Sequence, residues 1–142
     1  KRCWQIGNTY QKFTDDRNYN GTTGFQAYEA QYLRAFLLNN KSKNGQTILV
    51  DLHGWTQQLI GDSQICSYYN KQFPENDKSS IGRYGTGYLI GWARESLGNS
   101  NKTAKAALIE LPNRGINNHQ SVLNNNFSNR YIEATLDMLR NI

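Results

Sequence analysis

Apolar residues recur at three- and four-residue spacings in several parts of the chain, and this periodicity predicts amphipathic helices. One helix spans about 23–40, a second spans 85–97, and a third follows a Ser128 cap and ends near residue 140. A weaker helical pattern covers 63–73. The side chains expected on the buried faces are Phe25, Tyr28, Tyr32, Leu33, Phe36, Leu37, Tyr88, Leu89, Trp92, Ala93, Tyr131, Ile132, Leu136 and Leu139.

Two short apolar runs, 47–52 and 106–111, have the composition of strands that are buried on both faces. The order helix, strand, helix, helix, strand, helix predicts an α/β fold with a mixed, mostly parallel sheet flanked by helices. Two strands are too few for such a sheet. We therefore expect either an unrecognised strand, for instance around 57–61, or completion of the sheet by polypeptide outside this chain.

Length and charge narrow the class of protein. The 142 residues fit one domain, and 37% hydrophobic with 12% aromatic residues argues for a folded chain. No apolar stretch approaches the roughly 20 residues of a membrane span. The net charge of +5 comes from scattered basic residues, which disfavours a nucleic-acid partner. Cys3 and Cys66 are the only cysteines, and both a disulfide and two free thiols remain open.

Two polar residues stand at the ends of the predicted strands. His53 follows the first apolar run, and Glu110 lies near the end of the second. Functional residues of α/β proteins gather at the carboxyl ends of strands, where imidazole can bind zinc and a carboxylate can serve as a general base. A hydrogen-bonded structural histidine and a glutamate at a sheet edge are the alternative interpretations.

Five segments in order resemble the M14 family of zinc carboxypeptidases. Residues 48–54 are similar to the strand that carries the last zinc-binding histidine, and 107–111 to the strand with the catalytic glutamate. Residues 84–93 look like the segment with a mobile tyrosine that closes over substrate. Residues 20–29 resemble a Gly-rich loop that leads into an acidic helix start, and 2–4 resemble the remnant of a substrate-arginine motif.

The resemblance implies a role for each matching residue. His53 would be the third zinc ligand and Glu110 the general base, while Arg2 would bind the substrate carboxylate and Tyr84 would close over it. Asp51 shares a face with His53 and could orient a ligand, although a structural role is favoured. The implied cofactor is zinc, and the implied reaction is hydrolysis of a peptide bond near a free carboxyl terminus. Pro112-Asn113, where Arg-Asp is usual, indicates bacterial members that trim peptidoglycan stem peptides, in the secreted or cell-envelope compartment.

One departure from the family decides the expected domain organisation. The family's His-x-x-Glu motif is absent, because His119 has no glutamate three positions later. A catalytic zinc needs three protein ligands. Residues 1–142 are therefore expected to be the C-terminal half of a catalytic domain, inactive alone and partnered by a missing N-terminal half. The alternatives are a catalytically inactive peptide- or glycan-binding module of the same fold and, less favoured, a basic nucleic-acid binder.

Overall fold

The computed structural model describes residues 4, 5, 10, 12, 21–54, 56–85, 87–112 and 119–142. Five helices and three strands lie within these residues. They are α1 (Tyr28–Asn40), β1 (Ile48–Gly54), β2 (Leu59–Gly61), α2 (Ser63–Gln72), α3 (Leu89–Ser96), β3 (Lys105–Leu111), α4 (His119–Asn124) and α5 (Phe127–Asn141). None of the described helices has the length and apolar character needed to span a membrane.

The described residues fall into two compact units. The first is drawn from Lys1–Leu49 and Tyr84–Ala106, and the second from Val50–Arg83 and Ala107–Ile142. Strands β1 and β3 each begin in the first unit and continue in the second.

The three strands form one sheet in the order β1-β3-β2. Strand β2 is antiparallel to β3, with Leu59 opposite Ile109. Strands β1 and β3 run in the same direction. Near their starts the Lys105 amide donates to the Thr47 carbonyl at 2.9 Å, and at their ends a Cβ on Gly54 would lie 3.4 Å from Leu111 Cβ. The predicted α/β fold with a mixed sheet is confirmed. The described sheet is not mostly parallel, because one of its two strand pairs is antiparallel. Strand β2 is the additional strand anticipated at 57–61.

The first unit is built around aromatic residues. Trp4 is buried, with its ring centroid 4.8 Å from that of Trp92 on α3 and 5.5 Å from that of Phe25. Helix α3 begins at Leu89, later than the predicted residue 85. Gly85 has a positive φ of 65°, and a Cβ there would lie 2.7 Å from the Tyr88 ring, so this backbone is a glycine turn and not a helix.

Helix α1 forms as predicted, but its aromatic face is not buried. Tyr28, Tyr32 and Phe36 are 74%, 75% and 61% exposed, and Ala30 is the buried residue of the helix. Periodicity predicts a helix with an apolar face because it is a local property. What covers that face depends on the surroundings, and no local pattern specifies it.

Helices α2 and α5 pack together in the second unit. Asp62 caps α2, its Oδ1 accepting from the amides of Gln64 and Ile65 at 3.0 Å each. Across the helix pair, the hydroxyls of Tyr69 and Thr135 are 2.8 Å apart. Together with β2 and β3, these helices enclose the core of the unit. Its most buried residues include Leu59, Ile65, Cys66, Phe73, Ala107, Ile109, Phe127 and Ala134.

Helix α5 has the predicted period but a different buried face. Its buried residues are Phe127, Ala134 and Met138. The predicted residues Ile132, Leu136 and Leu139 are exposed. The N-cap is Asn126, in the left-handed conformation at φ 54°, and not Ser128. Helix α4 has six residues and lies within the Asn-rich segment that was predicted as loop. Its sequence is too short to carry a helical periodicity.

Candidate functional site

Strands β1 and β3 end side by side, and each carries one of the predicted site residues. Gly54 lies against Leu111, so the preceding residues His53 and Glu110 are neighbours on the opposite face of the sheet. The Tyr131 hydroxyl of α5 donates to the His53 and Ile109 carbonyls at 3.5 and 3.4 Å. The structure therefore brings His53 and Glu110 to the same end of the sheet.

His53 is held by a residue of its own strand. Its Nε2 lies 2.8 Å from Oδ1 of Asp51, and each side chain is about one-quarter exposed. Residues two apart on a strand point to the same face, so alternation along β1 creates this contact. Asp51 thereby fixes the orientation of the imidazole and leaves Nδ1 as the ring nitrogen that can form a hydrogen bond with another group.

Glu110 is a buried carboxylate in the central strand of the sheet. The residue is 8% exposed. Its amide donates to the Gln58 carbonyl at 2.9 Å, and its carbonyl accepts from Nδ2 of Asn76 at 2.8 Å. Its Oε2 has no hydrogen-bond partner among the described residues. A buried polar atom without a partner destabilises a fold, so this oxygen is a strong acceptor for a suitable donor.

Tyr131 adds a hydrogen-bond donor to the same region. Burial of the phenol, then the negative charge of Glu110 and the neighbouring Tyr69, raise the pKa of Tyr131 well above its ordinary value. The phenol therefore stays protonated at neutral pH. The described side chains at this end of the sheet thus comprise two carboxylates, one imidazole and one phenol, a set suited to accepting and donating hydrogen bonds.

Two further residues were predicted for the site, Arg2 and Tyr84. Arg2 lies outside the described residues. Tyr84 belongs to the first unit, where the Arg94 guanidinium is 4.5 Å from the centroid of its ring. A functional role for either residue stays a prediction.

The described side chains do not fit a catalytic zinc. No group of three or more His, Cys, Asp or Glu side chains in the described part of the chain has an arrangement that could hold a metal ion. The Nε2 atom of His53 is already hydrogen-bonded to Asp51. A zinc site needs three protein donors around one point, and the described residues at this end of the sheet do not supply them. Zinc as a cofactor stays a prediction.

The comparison with known proteins gives a different relationship from the one that the motifs suggested. Over 124 residues, 87% of this chain, the sequence is 33% identical to bacteriocin BCN5 of Clostridium perfringens. The similar protein is a bacteriocin. The chain spans 13% of the length of that protein. No protein family and no solved structure matches the chain.

The recognition of an M14 zinc carboxypeptidase is therefore wrong, as are the assignments as a metallopeptidase and hydrolase that followed from it. The alternative of an inactive peptide- or glycan-binding module of that fold gains no support either. The motifs misled because each is short: an apolar strand that ends in one polar residue recurs in many α/β proteins.

Sequence reasoning missed two residues of the cluster. Tyr131 was assigned to a buried helix face, and its hydroxyl contacts depend on how α5 packs against the sheet. Asn76 lies in a polar segment that carries no motif, and it binds the Glu110 carbonyl through tertiary structure. No sequence signal marks Asn76, because its burial and its contact with β3 are properties of the folded chain.

Proposed function

We propose that this chain is a folded segment of a larger, secreted bacteriocin-type protein and contributes to its antibacterial action. The observation that carries the proposal is the 33% identity to bacteriocin BCN5 across 87% of the chain. Identity at this level over most of the chain supports a shared fold. A bacteriocin acts on other bacteria, so the proposal implies export from the producing cell.

The size of the match supports an antibacterial action that belongs to a larger protein. The chain corresponds to 13% of the length of BCN5, and a segment of that size is one part of a long polypeptide. Its net charge of +5 favours encounter with an anionic bacterial surface. The segment contributes structure and a polar site, and the remaining polypeptide supplies the rest of the activity.

Within this function, His53 and Glu110 are the proposed site residues. The unpartnered Oε2 of Glu110 accepts a hydrogen bond from a donor that the described residues do not supply. The imidazole of His53, oriented by Asp51, presents its second nitrogen on the same face. The donor is a group of the target or of the larger protein.

Growth inhibition by the longer protein that carries this segment tests the proposal. We expect deletion of the segment to abolish inhibition of a sensitive indicator strain. Glu110→Gln, which is nearly isosteric, should lower the inhibitory titre, and Glu133→Gln on the exposed surface of α5 should leave it unchanged. Circular dichroism of each variant controls for folding. Full inhibition after deletion of the segment would refute the proposal.

A further inference from the structure

The two edges of the sheet differ. On the outer side of β2, the Leu59 amide donates to the Asp77 carbonyl at 2.9 Å, and the Asp77 amide donates to the Gln57 carbonyl at 2.8 Å. A second bridge joins Gly61 to Ile81. This edge is covered by the chain itself. The outer side of β1, at the opposite edge, pairs with no strand in the described part of the chain.

The backbone direction of β1 identifies the groups that this edge presents. The Thr47 carbonyl accepts from the Lys105 amide, so residue 47 points its hydrogen-bonding groups toward β3. Successive residues alternate in direction along a strand. Residues 49, 51 and 53 therefore face β3, while the amides and carbonyls of Val50 and Leu52 point outward.

The sequence of β1 is that of an interior strand. Natural edge strands are protected by lysine, proline, a bulge or a covering segment. Strand β1 contains no lysine or proline, and its one acidic residue, Asp51, is engaged with His53. Leu52, the last residue of the apolar run 47–52, is 49% exposed. An unprotected row of peptide groups beside an exposed leucine is a site for strand addition.

We infer that β1 accepts an additional strand from another part of the larger protein, so that the sheet grows beyond three strands at this edge. The inference rests on the proposed function. An extended backbone is the occupant that matches outward groups at Val50 and Leu52 spaced two residues apart. In the similar bacteriocin most of the polypeptide lies outside the matching segment, so we take polypeptide of the longer protein as the source of this strand. The added strand places an apolar side chain against Leu52.

Amide hydrogen exchange in the longer protein tests this inference directly. With the added strand, the amides of Val50 and Leu52 are hydrogen-bonded. Their exchange rates should then lie within about 10-fold of the rates of the Asp51 and His53 amides, which face β3. The protein should be monomeric by light scattering when this protection is measured. Fast exchange at Val50 and Leu52 beside slow exchange at Asp51 and His53 would overturn the inference. Protection seen only in a dimer, or equally in the 142-residue chain alone, would also overturn it.

Proline substitution supplies the matched variants. Leu52→Pro removes an outward amide and keeps the pairing of β1 with β3, whereas Leu52→Ala removes the side chain and keeps the amide. In the longer protein we expect Leu52→Pro to raise exchange at Val50 at least about 10-fold relative to Leu52→Ala. Equal exchange at Val50 in the two variants would contradict strand addition. Because the readout is exchange and not killing, loss of the proposed antibacterial function would leave this test unaffected.

Discussion

Arg130 is the residue with the densest set of polar contacts in the second unit. Its Nη2 lies 2.9 Å from both carboxylate oxygens of Glu75, and its Nε donates to the Gln72 carbonyl at 2.6 Å. The guanidinium also lies 4.3 Å from the Phe73 ring centroid. Both charged side chains are about four-fifths buried. This geometry joins α5 to the end of α2 and uses the planar shape that lysine lacks.

Arg130→Ala should destabilise the protein by about 3 kcal/mol, because it removes the guanidinium donor from the largely buried Glu75 carboxylate and from the Gln72 carbonyl. Urea unfolding monitored by fluorescence gives the free energy. The matched control is Lys71→Ala, which removes an exposed ion pair to Asp137 between the same two helices and should change stability little. Equal losses of unfolding free energy in the two variants would contradict the claim that the buried ion pair stabilises the protein more than the exposed one.

Cys66 is a free, fully buried thiol, and Cys3 lies outside the described residues. Burial, followed by the charge of Asp62, raises the pKa of Cys66 to about 12. In the unfolded chain the thiol ionises near its ordinary value of 9.0. Between these two values the folded state binds more protons than the unfolded state, so stability falls as pH rises.

We therefore expect the free energy of unfolding to decrease above about pH 9, with a contribution from Cys66 of at most about 1.4 kcal/mol per pH unit. Urea unfolding between pH 8 and pH 10.5 measures this slope. Cys66→Ala should give a flatter dependence, because the group that titrates is absent. A slope that Cys66→Ala leaves unchanged would exclude the thiol as its cause.

Among the elements, the helices show which features of the structure can be predicted from patterns in the sequence. The spacing of apolar residues predicted α1, α3 and α5 because a 3.6-residue period is local. The predicted orientation of α5 was wrong, since Phe127, Ala134 and Met138 are buried by their contacts with other elements. Helix α4 could not be predicted, because its six residues carry too little pattern.

Paired substitutions on α5 test its observed orientation. Met138→Ala removes a buried side chain and should cost about 2–5 kcal/mol of unfolding free energy. Leu139→Ala, one position along the same helix, removes a side chain that is 63% exposed and should cost within about 0.5 kcal/mol. Thermal and urea unfolding of both variants measure the difference. The reverse order of losses would support the orientation predicted from sequence.

The candidate site was partly predictable because two of its residues lie at the ends of neighbouring strands. His53 and Glu110 follow two apolar runs, and neighbouring parallel strands bring their carboxyl ends together. Tyr131 and Asn76 reach the same place through helix packing and a loop, so no spacing in the sequence links them to Glu110. The chemistry was mistaken because a fold-level resemblance was extended to function.

At the scale of the whole molecule, several apolar surfaces lie open in the described residues. The aromatic face of α1, the exposed Leu52 of β1, and Ile132 and Leu136 of α5 are typical of contact surfaces rather than of an isolated small protein. The match to 13% of a bacteriocin agrees with a segment that works inside a longer polypeptide. The prediction of a half-domain came from the absence of a His-x-x-Glu motif, and it stays a prediction.

Segment exchange with the similar bacteriocin tests the central claim most directly. The matching 124-residue segment of BCN5 is replaced by the corresponding residues of this chain, and inhibition of an indicator strain is titrated against intact BCN5 and a version without the segment. We predict that the exchanged protein inhibits growth and that the deleted one does not. A correctly folded exchange protein with no more activity than the deletion would contradict the claim that this chain is a functional bacteriocin segment.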